Sequence, residues 1–301
     1  MTPTGRRRWL VRGLLAALTA AALAFFIDAY LDVQRQGGLL WPTAASWPWI
    51  LASLAIGVAH VVAMGCAFAW LIGSQGFHRV VSIFLFSQAA KYVPGKIWGV
   101  VAQQALMGQQ SRLSQVFGAN IALAAILICS QLALALAASL YGRTGAFTAG
   151  FVGATVCVIA GAFAALLQHL HRARGWRLLV PWARPGVGLV TGVSSAVSLL
   201  LTALAWAALF GGGLGYRIDD VATWTAVSGA SFVAGMLSVL PGGLGIREAA
   251  FVAFSAHLPS LAPAEAPMLA LLTRAWLLAI DAVAVILGVA GLLAMRVRKR
   301  T

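Results

Sequence analysis

Long apolar runs dominate this chain, and they limit it to a membrane fold. Six stretches, at about 10–31, 47–73, 116–140, 146–168, 187–211 and 265–294, are apolar enough to read as full spans. Roughly 20 apolar residues suffice for an α-helix to cross a bilayer. Two further apolar stretches, at about 80–108 and 222–257, are each interrupted by Pro-Gly. The expected fold is an all-α polytopic membrane protein of about six spans plus two broken helical hairpins. Composition agrees: 61% of the 301 residues are hydrophobic and only 9% charged, where a soluble domain carries about 25% charged residues. The whole chain, 1–301, reads as one integral membrane domain with no sizeable soluble one.

The formal net charge of +14 does not point to nucleic acid. The cations sit in short clusters between apolar spans, where membrane topology accounts for them. Cys66, Cys129 and Cys157 lie in apolar segments without metal or redox spacing and read as packing residues. Arg6, Arg7, Arg8 and Arg12 precede the first apolar run, as in a signal peptide. That run is long enough to span, contains Asp28 and lacks an obvious small-residue cleavage site. It reads as a retained first span.

Charge also sets the topology. If the two broken stretches do not cross, 14 of the 21 Lys and Arg residues fall on one side and three on the other, with four inside apolar stretches. That asymmetry fits cytoplasmic N- and C-termini. If each broken stretch crossed once, the basic loop from Arg172 to Arg184 would move to the outside. Re-entrant hairpins are therefore preferred, although a dip and a tightly bent pair of spans look alike in sequence. The spans before the two breaks then run in opposite directions. The chain becomes an inverted repeat, with one half at about 47–140 and the other at about 187–294.

Paired, interrupted segments of this kind mark a binding site in many transporters. Proline lacks an N–H and disfavours helix at the residue before it, so Val93 and Leu240 are predicted to end half-helices. Glycine tolerates the dihedrals of the turn. The next half-helix begins with free N–H groups and a positive dipole end, which suit an anion. The candidate substrate site comprises Lys91, Pro94, Gly95 and Lys96 from the first break. Pro241, Gly242, Gly243, Gly245, Arg247 and Glu248 come from the second, and Arg274 from the last span. Lys91, Lys96, Arg247, Glu248, Arg274 and Asp281 together carry a net charge of +2 in the membrane interior, which a lipid phosphate would complement. Glu248 would pair with Lys91, Lys96 or Arg274 and change partners as access alternates. Arg274 and Asp281, seven apart, share a helix face. The plainer reading is that these charges pin the hairpins or snorkel to headgroups, and for Asp281 and Asp28 a structural role is expected. Gln88, Gln103, Gln104, Asn120 and Gln131 are expected to bond between helices.

No catalytic motif stands out, and no cofactor or metal is expected. Pro94-Gly95-Lys96-Ile97 resembles the end of a P-loop, but Ala90 replaces the earlier glycine and Ile97 the magnesium-binding hydroxyl. His169 and His171 lack a third ligand nearby, and no Ser-His-Asp set has a local signature.

Lys91-Tyr92-Val93-Pro94-Gly95-Lys96-Ile97-Trp98 resembles the KYxPGKxW element of the lysylphosphatidylglycerol synthase transmembrane family. Leu240-Pro241-Gly242-Gly243-Leu244-Gly245-Ile246-Arg247-Glu248 resembles its PGGxGxRE element. Arg274 stands where that family often carries arginine in its last span. The resemblance implies a flippase-like protein of the bacterial cytoplasmic (inner) membrane, moving an anionic phospholipid or a polyprenyl-phosphate-linked lipid. The aminoacyl-transferase domain of the bifunctional members has no counterpart here, so the chain is not expected to be an enzyme. The alternative is a non-transporting membrane partner of a glycosyltransferase or lipid-modifying enzyme.

Overall fold

The computed structural model describes residues 44–73, 76–92, 97–108, 111–174, 186–238, 240–256 and 265–298. The expected first span at 10–31 lies outside the described residues, as do Val93, Pro94, Gly95 and Lys96 and most of the basic loop after Arg174. Among the described residues every regular element is helical.

Helix α1 (Trp47–Ile72) has a proline in its first turn, where a missing N–H leaves no bond unmade. It ends at Gly73, whose left-handed backbone lets its N–H reach Ala69 O at 3.0 Å. Helix α2 (Phe77–Ser87) tightens into a 3₁₀ turn over Gln88–Tyr92, and α3 (Trp98–Met107) follows the first break. Helix α4 (Leu113–Arg174) is two arms joined at Gly145, a non-helical residue with φ 83° and ψ 174°. Helix α5 (Val187–Trp206) runs on into a π-helical segment, Ala207–Gly213, whose Gly212 lies flush against the Trp49 ring. The second hairpin is α6 (Ile218–Leu237), a turn at Pro241–Gly243, and α7 (Ile246–Ser255). Helix α8 (Glu265–Arg298) closes the fold.

Among the described residues, four segments are long and apolar enough to cross a membrane: Trp47–Ile72, Leu113–Tyr141, Val187–Gly213 and Ala266–Met295. The second arm of α4 holds a shorter apolar helix, Gly150–Leu166. The chain is thus an all-helical polytopic membrane protein. Helices α3 and α7 have 10 residues each, about 15 Å at 1.5 Å per residue, half of a bilayer core. Both fold back on the helix before them. Arg247 of α7 packs on Gly235 near the end of α6, while Phe251 stacks on Trp224 nearer its start, with ring centroids 5.7 Å apart. In the first hairpin Gln103 Nε2 donates to Ser87 Oγ at 2.8 Å, and Arg79 Nη2 to Leu106 O at 2.9 Å.

The two hairpins occupy equivalent places. Helix α1 packs against α5, α2 packs against α8, and α6 packs against the first arm of α4. Exchanging the halves reproduces this pattern. Each hairpin meets its long neighbour through a glycine. A Cβ on Gly288 of α8 would lie 2.4 Å from Phe86 N, and one on Gly229 of α6 would lie 2.9 Å from Gln131 O. Such close backbone approach holds helices together in a medium that offers no hydrophobic drive. Polar bonds add to it: Ser53 Oγ donates to Ala205 O at 2.7 Å, and Ser198 Oγ lies 2.9 Å from His60 Nε2 and 3.0 Å from Ser130 Oγ. Asn120 and Gln131 bond between helices as expected, to Gln103 at 2.7 Å and Thr202 at 3.3 Å, whereas Gln88 and Gln104 bond nearby carbonyls.

Gly288→Ala should therefore lower the thermal midpoint of the detergent-solubilised protein by several degrees, since overpacking costs about 1–3 kcal/mol. Gly150→Ala, with open space around its Cβ position, should leave the midpoint unchanged or slightly raised. Equal midpoints for the two variants would contradict the close α2–α8 contact.

Candidate functional site

Two helix ends meet beside α8. The 3₁₀ turn Gln88–Tyr92 touches the turn Pro241–Gly243, and α8 runs past both. Helix α6 ends at Leu237, earlier than Leu240, because Ser238 already adopts an extended backbone (φ −67°, ψ 153°). The following helix waits until Ile246. Gly242, Gly243 and Gly245 all have positive φ, at 58°, 70° and 79°, a region closed to most side chains. Gly243 also approaches the Gly235 backbone so closely that its own Cβ would lie 2.8 Å from Gly235 Cα. These glycines lay the turn flat on α6.

Five charged side chains and the Tyr92 hydroxyl converge there. Asp281, at the midpoint of α8, is 5% exposed and takes Lys91 Nζ at 2.6 Å on both carboxylate oxygens. The Tyr92 hydroxyl donates to the same carboxylate. Arg274, two turns away on the same helix, donates from Nη1 to Gly242 O at 2.8 Å and stands over the Tyr92 ring at 5.6 Å. Its Nε is 3.6 Å from Glu248 Oε1, an ion pair without a hydrogen bond. Glu248 Oε2 accepts the Gly245 N–H at 2.7 Å. Its carboxylate therefore sits on the N-terminus of α7, where sequence reasoning placed a foreign anion.

Arg247 differs from the others. It is 7% exposed, its stem packs on Gly235, and its guanidinium lies over the Phe232 ring at 5.0 Å. Its Nη2 is buried without a hydrogen-bond partner among the described residues, and so are Arg274 Nε and Nη2. Three cations thus face two carboxylates, with donors left over.

Of the residues expected to form the site, the structure gathers Lys91, Gly242, Gly243, Gly245, Arg247, Glu248 and Arg274, with Pro241 heading the turn. Pro94, Gly95 and Lys96 lie outside the described residues. Lys91 is engaged by Asp281, although its side chain remains 44% exposed. Among the three candidate partners of Glu248, the observed one is Arg274. Asp281 and Arg274 share a face, yet they do not pair: Asp281 bonds Lys91 and Tyr92 of the first hairpin, and Arg274 bonds Gly242 and pairs with Glu248 of the second. Two contributors carried no role in the sequence reading: Tyr92, which bridges Asp281 and Arg274, and Phe232, under Arg247. Tyrosine beside a lysine in an apolar run is a readable signal for such bridging. Phe232 is one of 14 phenylalanines and offers none.

Asp281→Asn should loosen the junction between the halves, because Lys91 loses its counter-charge and Tyr92 a charged acceptor, worth roughly 1.5–3 kcal/mol. In a double-mutant cycle of thermal midpoints, Tyr92→Phe should cost clearly less in the Asp281→Asn background than in wild type. Additive effects would mean that the bond is not formed. No protein-family model matches the chain, and neither a curated protein nor a solved structure is significantly similar to it.

Proposed function

We propose that this protein moves a lipid with an anionic phosphate headgroup, an anionic phospholipid or a polyprenyl-phosphate-linked lipid, between the leaflets of a bacterial cytoplasmic membrane. The observation that carries this reading is the excess of buried donors on cations. Arg247 and Arg274 are over nine-tenths buried and have guanidinium nitrogens without partners among the described residues. A cation at a span centre costs roughly 2.5–3.5 kcal/mol even on a lenient scale. A phosphate removes that cost, since its oxygens accept paired bonds from a guanidinium. A neutral or cationic solute would not.

The contact between the 3₁₀ turn Gln88–Tyr92 and the turn Pro241–Gly243 beside α8 supports the same reading, because it puts the charged cluster where the two hairpins meet. Broken helices at such a place are the usual seat of a transported ion or headgroup. The similarity of the two Pro-Gly elements to the lysylphosphatidylglycerol synthase transmembrane family supports the same substrate chemistry. The charge asymmetry of the sequence supports cytoplasmic termini.

The test is lipid flipping in proteoliposomes that carry fluorescent phosphatidylglycerol, read by quenching of the outer leaflet. Wild-type protein should accelerate exchange, and Arg247→Ala should reduce it at least tenfold while inserting normally. Undiminished flipping by Arg247→Ala would remove that residue from the site. A wild-type protein that flips neither this lipid nor a labelled polyprenyl phosphate would overturn the transport reading.

A further inference from the structure

Glu248 occupies the position that an incoming anion needs. It is 1% exposed, and it takes the Gly245 N–H at the start of α7. Among the described residues its second oxygen makes no hydrogen bond and stands 3.6 Å from Arg274 Nε, a donor that is itself unpaired there. Arg274 instead directs Nη1 to the Gly242 carbonyl. The carboxylate is therefore held at one oxygen only, with buried donors of two arginines beside it. A phosphodiester carries the same single charge and also presents two oxygens, but it is larger and can reach further toward Arg247.

We propose that Glu248 is the resident occupant of the anion seat. Binding of a phosphate headgroup is then an exchange in which Glu248 releases Gly245 N–H and Arg274 and takes up a proton from water. This deepens the phosphate reading and rests on it. The proton follows from burial. A displaced carboxylate without a counter-charge would cost several kcal/mol in this interior, whereas the neutral acid avoids that charge. Among the described residues, the charged and titratable groups around Glu248 are Arg247 on its own helix, Arg274 and Asp281 on α8, and Lys91 and Tyr92 from the first hairpin, with His60 of α1 beyond Lys91. Asp281 is already held by Lys91 and Tyr92, which leaves Glu248 as the acid that an incoming anion displaces. From α6 the neighbour of this cluster is the Phe232 ring under Arg247. The exchange also aids release, because the returning carboxylate competes with the headgroup for the same donors.

The experiment measures binding to the purified full chain in detergent by thermal-shift titration. The probes are dihexanoylphosphatidylglycerol and its acyl-free headgroup, glycerophosphorylglycerol. Both are phosphodiesters of constant charge between about pH 6 and 8, so any pH dependence belongs to the protein. Wild-type affinity should rise as pH falls, by up to about tenfold per pH unit for one proton. Glu248→Gln should bind about tenfold more tightly at pH 8, equivalent to about 1.4 kcal/mol, lose the pH slope, and flip lipid more slowly. A purely structural Glu248 would not produce tighter binding together with slower transport. A shift with both probes, or with the lipid alone, supports the exchange and separates free phosphate from lipid-borne phosphate. Equal affinities and equal pH slopes in wild type and Glu248→Gln would overturn it, as would an absence of binding by either protein. Should Glu248→Gln not fold, Glu248→Asp serves: its shorter carboxylate no longer spans Gly245 and Arg274, so it should bind severalfold tighter, and unchanged affinity would refute the proposal. Flipping by a wild type whose binding is pH-independent sinks the exchange alone. Glu248-dependent binding without flipping sinks only the transport reading.

Discussion

Backbone groups that lack partners cannot face lipid, and most of this architecture answers that constraint. The second Pro-Gly break frees carbonyls and N–H groups between α6 and α7. Such a break is tolerable only where other helices or a ligand shield it. Arg274 satisfies the Gly242 carbonyl from α8, and Glu248 satisfies the Gly245 N–H from within α7. Long helices flank both hairpins: α8 packs against α2, and the first arm of α4 packs against α6. The glycine contacts at Gly229 and Gly288 set how closely that enclosure is drawn.

The two halves meet this constraint with different chemistry. In the first half, the return helix of the hairpin is held by neutral groups: Gln103 accepts from Asn120 of the following span and donates to Ser87 of α2. In the second half, the corresponding link is Glu248 to Arg274. A neutral junction is indifferent to an incoming charge, whereas a charged one is strongly affected by it. The first half contributes Lys91 and Tyr92 to Asp281 across the interface. Shape is therefore shared between the halves, while the charge that an anion would sense is concentrated in one of them.

The hairpins were legible in the sequence because Pro-Gly in an apolar run leaves few alternatives, and a cation within six residues of each break marks a polar interior. The exact ends of the half-helices were not. Proline restricts only the residue before it, yet α6 stops at Leu237, since Ser238 turns extended, and three glycines of positive φ postpone α7 to Ile246. Side-chain pairing was legible only as a set of options. Glu248 had three candidate cations, and the choice depended on which helix of the other elements passes nearest. Asp281 read as structural, and its two partners come from 189 and 190 positions earlier in the chain, a juxtaposition that no local pattern encodes. The neutral bonds of Asn120 and Gln131 were easier, since an amide in a long apolar helix has little choice but to bond across to a neighbour.

The second arm of α4 leaves the first at Gly145, where the non-helical backbone breaks the helix. It packs on α5 through a pair of glycines: a Cβ on Gly161 would lie 2.9 Å from Gly188 O, and one on Gly188 would lie 2.9 Å from Gly161 O. Backbones this close leave little room for one helix to slide past the other. A displacement of α5 would therefore carry this arm with it, and the bend at Gly145 is where the chain would take up the change.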